Sequence, residues 1–295
     1  MIQVRIFATK FNYCAYMGKM KLFCAFVICV AICACSETKK KSSELQNLYN
    51  LIIIDESGSM WTIEKEAVSG LNETFQTIAA AQKEHTQQRH FVSLVTFNSL
   101  RIHNIYDRKP IGEDSLKWDD YHPRGGTPLF DAMGSAIDSL RKYVTADDIV
   151  LVTIITDGME NASKRYSGKQ IKEMVSELKS QGWVFAYIGT NQDVDSIADE
   201  IGVRNRMEYH YSSEGVQDMW ETDKESRLGL YYSAAHGGRS AVDGDYGYFK
   251  RSKHGVSKGI HSSCRKICFQ CIKKKSSFPI SNGNPHSLFK NSDSQ

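Results

Sequence analysis

Between Ser36 and Ser263 the chain has no cysteine, although eight occur in its 295 residues. No disulfide can hold that middle stretch together, so its stability has to come from burial. A body of about two hundred residues buries roughly 70% of its unfolded surface, which is enough. The sequence also lacks a full-length membrane span at its apolar amino end. "LFCAFVICVAICA", Leu22–Ala34, is thirteen residues, about 20 Å as a helix against a hydrocarbon core of about 30 Å. Acids all but vanish at the carboxy end, where Tyr246–Gln295 holds ten Lys and Arg against Asp293 alone. Residues 1–47 hold seven basic residues and two acidic ones, so within an overall charge of +3 the middle is strongly acidic. Basic ends of this kind read as solvated surface; no aromatic–basic platform accompanies them, so no nucleic-acid partner is expected. A phosphate-binding Gly-x-x-x-x-Gly-Lys-[ST], a dinucleotide fingerprint and a Gly-x-Ser-x-Gly elbow are all missing, which removes the commonest nucleotide and hydrolase chemistries.

At the amino end, Lys19 and Lys21 precede the short apolar stretch, and small residues follow it. Basic flank, short apolar core and small end describe a secretory leader over residues 1–35. A start at Met17 or Met20 gives that leader an ordinary length. Ile32-Cys33-Ala34-Cys35 resembles a bacterial lipobox, which makes Cys35 the lipidation candidate and the cell envelope the expected location, membrane-anchored through lipid. Residues 36–47, with "SETKKKSSELQN", read as a polar tether. The competing account is a cytoplasmic scaffold in a multiprotein complex; cleavage before Cys35 separates the two. From residue 234 to 295, Gly, Ser and Lys dominate and periodicity fades, which predicts a basic, disordered tail. In it His261, Cys264, Cys268 and Cys271 are ligands of zinc type, but their spacing fits no standard finger, and unstructured thiols are the competing reading.

The body over 48–233 alternates strands and helices. Leu48–Ile54 and Ile149–Ile155 are near-continuous apolar runs, as in strands buried on both faces of a parallel sheet. Phe91–Phe97, Trp183–Ile188 and Met207–Tyr211 are further strands, and Arg101–Tyr106 follows closely enough to return as an antiparallel edge. Ile63, Ala67, Leu71, Phe75 and Ile78 lie on one helical face; Leu129, Met133, Ile137 and Leu140 form a second, opened by Thr127 as cap and Pro128 at the first helical position. Ile171, Met174, Val175 and Leu178 make a third stripe between Ser167 and Gly182, and Val194, Ile197, Ala198 and Ile201 a fourth, stopped at Gly202. A last helix spans about Ser213–Tyr232. The prediction is an α/β, doubly wound, mostly parallel sheet of about six strands with helices on both faces and one antiparallel edge strand. Ligands in such sheets bind beyond the carboxyl ends of the strands.

Asp55 and Asp157 stand at two of those ends. "DESGSM" leaves the first strand, "RGGTPL" (Arg124–Leu129) opens the second helix, and "TDGMEN" (Thr156–Asn161) leaves the central strand. Together they offer two carboxylates, Asp55 and Asp157, and three hydroxyls, Ser57, Ser59 and Thr127. An all-oxygen set of this kind suits a hard divalent cation and argues against zinc or copper. Two carboxylates crowded without a cation repel, and a metal removes that cost. Gly58 is expected to permit the tight turn. The competing reading makes Ser57 and Ser59 turn residues and Thr127 only a cap.

Asp55-x-Ser57-x-Ser59, Thr127 in Gly-Gly-Thr-Pro-Leu, and Asp157-Gly158 resemble the von Willebrand factor type A domain with an intact metal-ion-dependent adhesion site. The resemblance runs over about Leu48–Tyr211. It implies Mg²⁺, with Mn²⁺ as a substitute, held nearest by Ser57, Ser59 and Thr127, with Asp55 and Asp157 acting directly or through water. It further implies a coordination position left for a Glu or Asp of a protein ligand. Trp61 and Tyr121 are candidate contact aromatics on the rim. The catalytic alternative is a metal-dependent phosphohydrolase, but Ser57 stands where such an enzyme places its acid, and a serine cannot serve there near neutral pH. A binding module rather than an enzyme is expected.

Overall fold

A computed structural model describes residues 45–112, 115–190, 194–244 and 246–249. The leader with Cys35, most of the tether, and Cys264, Cys268 and Cys271 with His261 lie outside the described residues. Among those described, no helix is long and apolar enough to cross a membrane.

Six strands form one sheet in the order β3-β2-β1-β4-β5-β6. They are β1 (Gln46–Asp55), β2 (Gln88–Asn98), β3 (Arg101–Pro110), β4 (Ile149–Thr156), β5 (Val184–Gly189) and β6 (Asn205–Glu208). β1 runs parallel to β2 and to β4, and β5 runs parallel to β4 and β6. β3 alone is antiparallel, returning along β2 with bulges near Val92–Val95. The expected edge strand is therefore present. Its Arg, Lys and Pro residues blunt an otherwise open edge.

The helices are α1 (Glu64–Glu84), α2 (Leu129–Leu140), α3 (Gly168–Ser180), α4 (Val194–Glu200) and α5 (Ser213–Gly237). Side chains of β1 alternate between the two faces, as the period of a strand requires. Leu48, Ile52 and Ile54 pack with Ala67, Leu71, Phe75 and Ile78 of α1 and with Val216, Met219 and Leu230 of α5. Leu51 and Ile53 pack on the other face with Leu129, Met133 and Ile137 of α2, Ile171 and Val175 of α3, and Val194 and Ile197 of α4. Helices thus cover both faces, and every residue of β4 is buried. The sequence reads as it does because its central strands have no solvent side.

Local signals hold at several ends. Ser167 caps α3, accepting from the Gln170 amide, and Gly182 and Gly202 take positive φ where the stripes stop. Two expectations need correction. α2 begins at Leu129 with Pro128 at its cap and no side-chain cap bond, so Thr127 does not cap it. The helix expected to end near Tyr232 continues to Gly237, and Val242, Tyr246 and Tyr248 beyond it are buried in the core. The packed body therefore extends past the expected boundary at 233, because aromatic side chains among Gly and Ser find sites between α5 and the sheet.

Candidate metal centre

Asp55 is the last residue of β1, and Asp157 follows the last residue of β4. These strands are neighbours in register, with Ile54 opposite Ile155, so the two carboxylates leave the sheet side by side. The Ser57 amide donates to Asp55 Oδ1 at 2.7 Å, turning the chain tightly. Ser57 Oγ then lies 3.2 Å from Ser59 Oγ. Ser59 Oγ donates to Asp157 Oδ1 at 2.7 Å. Thr127 arrives from the third loop. A Cβ added to Gly158 would stand 2.8 Å from Thr127 Oγ1, 3.6 Å from Asp55 Oδ2 and 3.7 Å from Ser57 Oγ. All five sequence-predicted oxygen donors therefore converge, and Gly158 is the floor beneath them. A side chain there would fill the space they share.

The loops are tied to one another by bonds that the sequence did not advertise. Thr156 Oγ1 donates to Asp55 Oδ2 at 2.6 Å. The Thr127 amide donates to Asn161 Oδ1 at 2.8 Å, and the Asn161 amide returns to the Thr127 carbonyl at 3.1 Å. Glu160 accepts from the Phe130 amide at 2.9 Å, fixing the start of α2 against the loop after β4. Glu56 is fully buried and accepts from Arg101 Nη2 at 2.9 Å, the His122 amide at 2.7 Å and Asn98 Nδ2 at 3.3 Å. It ties its own loop to the β2–β3 turn and to the loop that leads to Thr127. Thr156 and Asn161 had a signal in their places beside Asp157; Glu56, between two motif residues, had none.

Gly58 turns without a positive φ, and a Cβ there would meet the Gly125 carbonyl at 3.5 Å and its amide nitrogen at 3.7 Å, both ordinary contacts. The left-handed residue is Gly125, at φ +73°, whose carbonyl accepts from the Gly58 amide at 3.0 Å. Tyr121 is not a rim aromatic. It is fully buried, and its hydroxyl donates to the Asp55 carbonyl. Trp61 is 68% exposed.

Burial pushes the Asp55 carboxyl up to about 7 from 3.8; bonds from Thr156 and Ser57 oppose this, and neighbouring Asp157 adds to it. Asp157 is raised as well, again by burial first. The nearby Tyr211 hydroxyl, which eases Asp157's ionisation, donates to the Ser59 carbonyl, and Asp157 Oδ2 is buried without a hydrogen-bond partner. A buried, unpaired carboxylate oxygen is costly alone and satisfied by a cation. Among the described residues no three of His, Cys, Asp or Glu are grouped for a metal. The donor set is two carboxylates completed by hydroxyls, which fits Mg²⁺ better than a softer ion.

No protein-family model and no characterised protein match the sequence. Solved structures of similar fold include a von Willebrand factor type A protein from Catenulispora acidiphila, at TM-score 0.48 and 14% identity, over 62% of this chain and 43% of that one. The von Willebrand domain of the pili tip protein Mfa5 from Porphyromonas gingivalis matches at TM-score 0.41 and 10% identity, over 60% of this chain and 95% of its own. Proximal thread matrix protein 1 from the mussel byssus, solved with a zinc-occupied adhesion-site motif, matches at TM-score 0.40 and 16% identity, over 62% and 46%. The chain spans less than half of the first and third of these.

Proposed function

We propose that this chain is a von Willebrand A-type module that binds a protein ligand through Mg²⁺, and that it is not an enzyme. The observation that carries the reading is the convergence of three hydroxyls and two raised carboxylates over Gly158, with Asp157 Oδ2 left unpaired. Ser57, Ser59, Thr127, Asp55 and Asp157 are the residues that would hold the ion. When bound, the ion supplies an electrophilic acceptor for a Glu or Asp of the partner. The chain's own part is to keep five oxygens in place before the ion arrives, so that binding costs little reorganisation. The lipid anchor at Cys35 and an envelope location belong to the same proposal and rest on the sequence alone.

Thr127 supports this reading over the turn-and-cap alternative. Its hydroxyl caps no helix and points into the shared space instead. The test is calorimetric titration of the full chain with Mg²⁺ and Mn²⁺, beside Asp55→Ala and Thr127→Ala. One saturable site, lost in both variants while their circular dichroism is unchanged, is the expected result. A folded wild-type chain that binds neither ion sinks the proposal.

A further inference from the structure

We propose that the rim of this site receives an acidic protein segment whose carboxylate is flanked by large apolar side chains, and that Trp61, Met159 and Leu100 receive those flanks. The inference rests on the Mg²⁺-binding reading above and adds the chemical class of the ligand.

Six large hydrophobic side chains are exposed among the described residues, and three of them are Trp61, Met159 and Leu100, at 68%, 60% and 69%. Each stands on a loop bonded into the site. Trp61 lies two residues after Ser59, and Met159 two after Asp157. Ser59 Oγ and Asp157 Oδ1 are themselves 2.7 Å apart, so the two segments that carry Trp61 and Met159 run on from one bonded pair. Leu100 follows Ser99, whose Oγ accepts from the Gly126 amide at 2.9 Å, next to Thr127. Folding does not require these exposures. In the turn that carries Trp61, Met60 and Ile63 already supply the core contacts, at 1% and 5% exposure. Trp61 is the residue left over for solvent or for a partner, and tryptophan is enriched among the residues that anchor protein interfaces.

Charge selects between partners. Exposed Arg124 and His122 stand on the loop leading to Thr127, and both suit an acidic segment. Taken as a whole, residues 48–245 are strongly acidic, which opposes an anionic lipid surface at long range. A single carboxylate between apolar side chains matches the local rim without meeting that repulsion over a wide face.

Three short peptides test this on the full chain in Mg²⁺, read by tryptophan fluorescence and calorimetry. The first has a central Glu between Leu and Phe, the second has Ser in place of both flanks, and the third keeps Leu and Phe with Gln for Glu. The first is expected to bind about tenfold tighter than the second, the effect of one buried apolar side chain. Trp61→Ser and Met159→Ser should remove most of that preference and leave Mg²⁺ affinity unchanged. Equal affinity for the first two peptides, a preference that survives both substitutions, or no peptide binding by Mg²⁺-loaded chain overturns the inference. Binding to phosphatidylserine vesicles that Trp61→Ser abolishes, without peptide binding, assigns the rim to membrane and overturns it too. Loss of the Glu-over-Gln difference, or absence of Mg²⁺ binding, strikes the metal–carboxylate reading instead; the flank comparison judges the rim separately.

Discussion

Glu56 sits between two motif residues and is the most fully committed side chain around the site. Its oxygens accept from Arg101, the His122 amide and Asn98, while its own amide donates to the Phe97 carbonyl and its carbonyl accepts from the Arg124 amide. The carboxylate is fully buried, whereas its partner Arg101 is 34% exposed. The pair therefore contributes less through its charges than through fixing where Asp55 and Ser57 stand relative to the loop that bears Thr127. Glu56→Gln keeps the size, removes the charge from Arg101 and turns an amide N–H₂ toward at least one donor. Groups that orient metal ligands are worth about 10- to 100-fold in affinity. A rise of that size in the Mg²⁺ dissociation constant is expected, with folded-state circular dichroism retained. An unchanged constant would reduce Glu56 to a general stabiliser. The five converging oxygen donors were legible because the chemistry of a hard cation asks for oxygen at strand ends. Glu56 was not, because its role arises from three loops meeting in space and leaves no periodic trace.

β1, β4, β5 and the four earlier helices were legible for a related reason: each carries a run or stripe of buried apolar residues. α5 was read less well, and its burial pattern explains why. Its covered face includes Asp223, Ser226 and Arg227 beside Met219 and Leu230. Arg227 Nη2 donates to Asp223 Oδ2 and to Thr153 Oγ1 of β4, each at 3.0 Å, and Tyr248 donates to Asp223 Oδ1 at 2.8 Å. A helix seated on an ion pair carries no clean hydrophobic stripe. Because both charges are at 1% exposure, removing one leaves the other buried alone. Arg227→Met is expected to cost about 3–5 kcal/mol in denaturant unfolding, and Asp223→Leu with Arg227→Met to recover much of it. Equal losses in the single and double variants would show that the helix depends on the pair itself and not on avoiding a lone charge.

At the scale of the whole molecule, the doubly wound order brings together Asp55 and Thr156, 101 residues apart in sequence. The segment that follows α5 lies away from that convergence and is bonded to the body at the other end of the sheet. Composition alone placed a disordered tail from residue 234, since Gly, Ser and Lys dominate there and helical spacing is lost. The packed body instead runs on through Val242 and Tyr248, both fully buried. Arg239 donates to the carbonyls of Ala146, Asp148 and Gln181, fastening this segment across the end of the sheet opposite the loops that bear Ser57 and Asp157. Single aromatic residues in a Gly-rich stretch give no period to read, and only their burial reveals what they do. A chain ending after Ser233 loses Val242, Tyr248 and the Arg239 bonds, and exposes Asp223 on its Tyr248 side. One ending after Phe249 keeps them all. Fully burying one large apolar side chain is worth about 1.5–3 kcal/mol, so the shorter chain should lose several kcal/mol and melt well below the full chain. The chain ending after Phe249 should melt with the full chain. Coincident melting of both truncations would mean that residues 234–249 rest on the body without stabilising it.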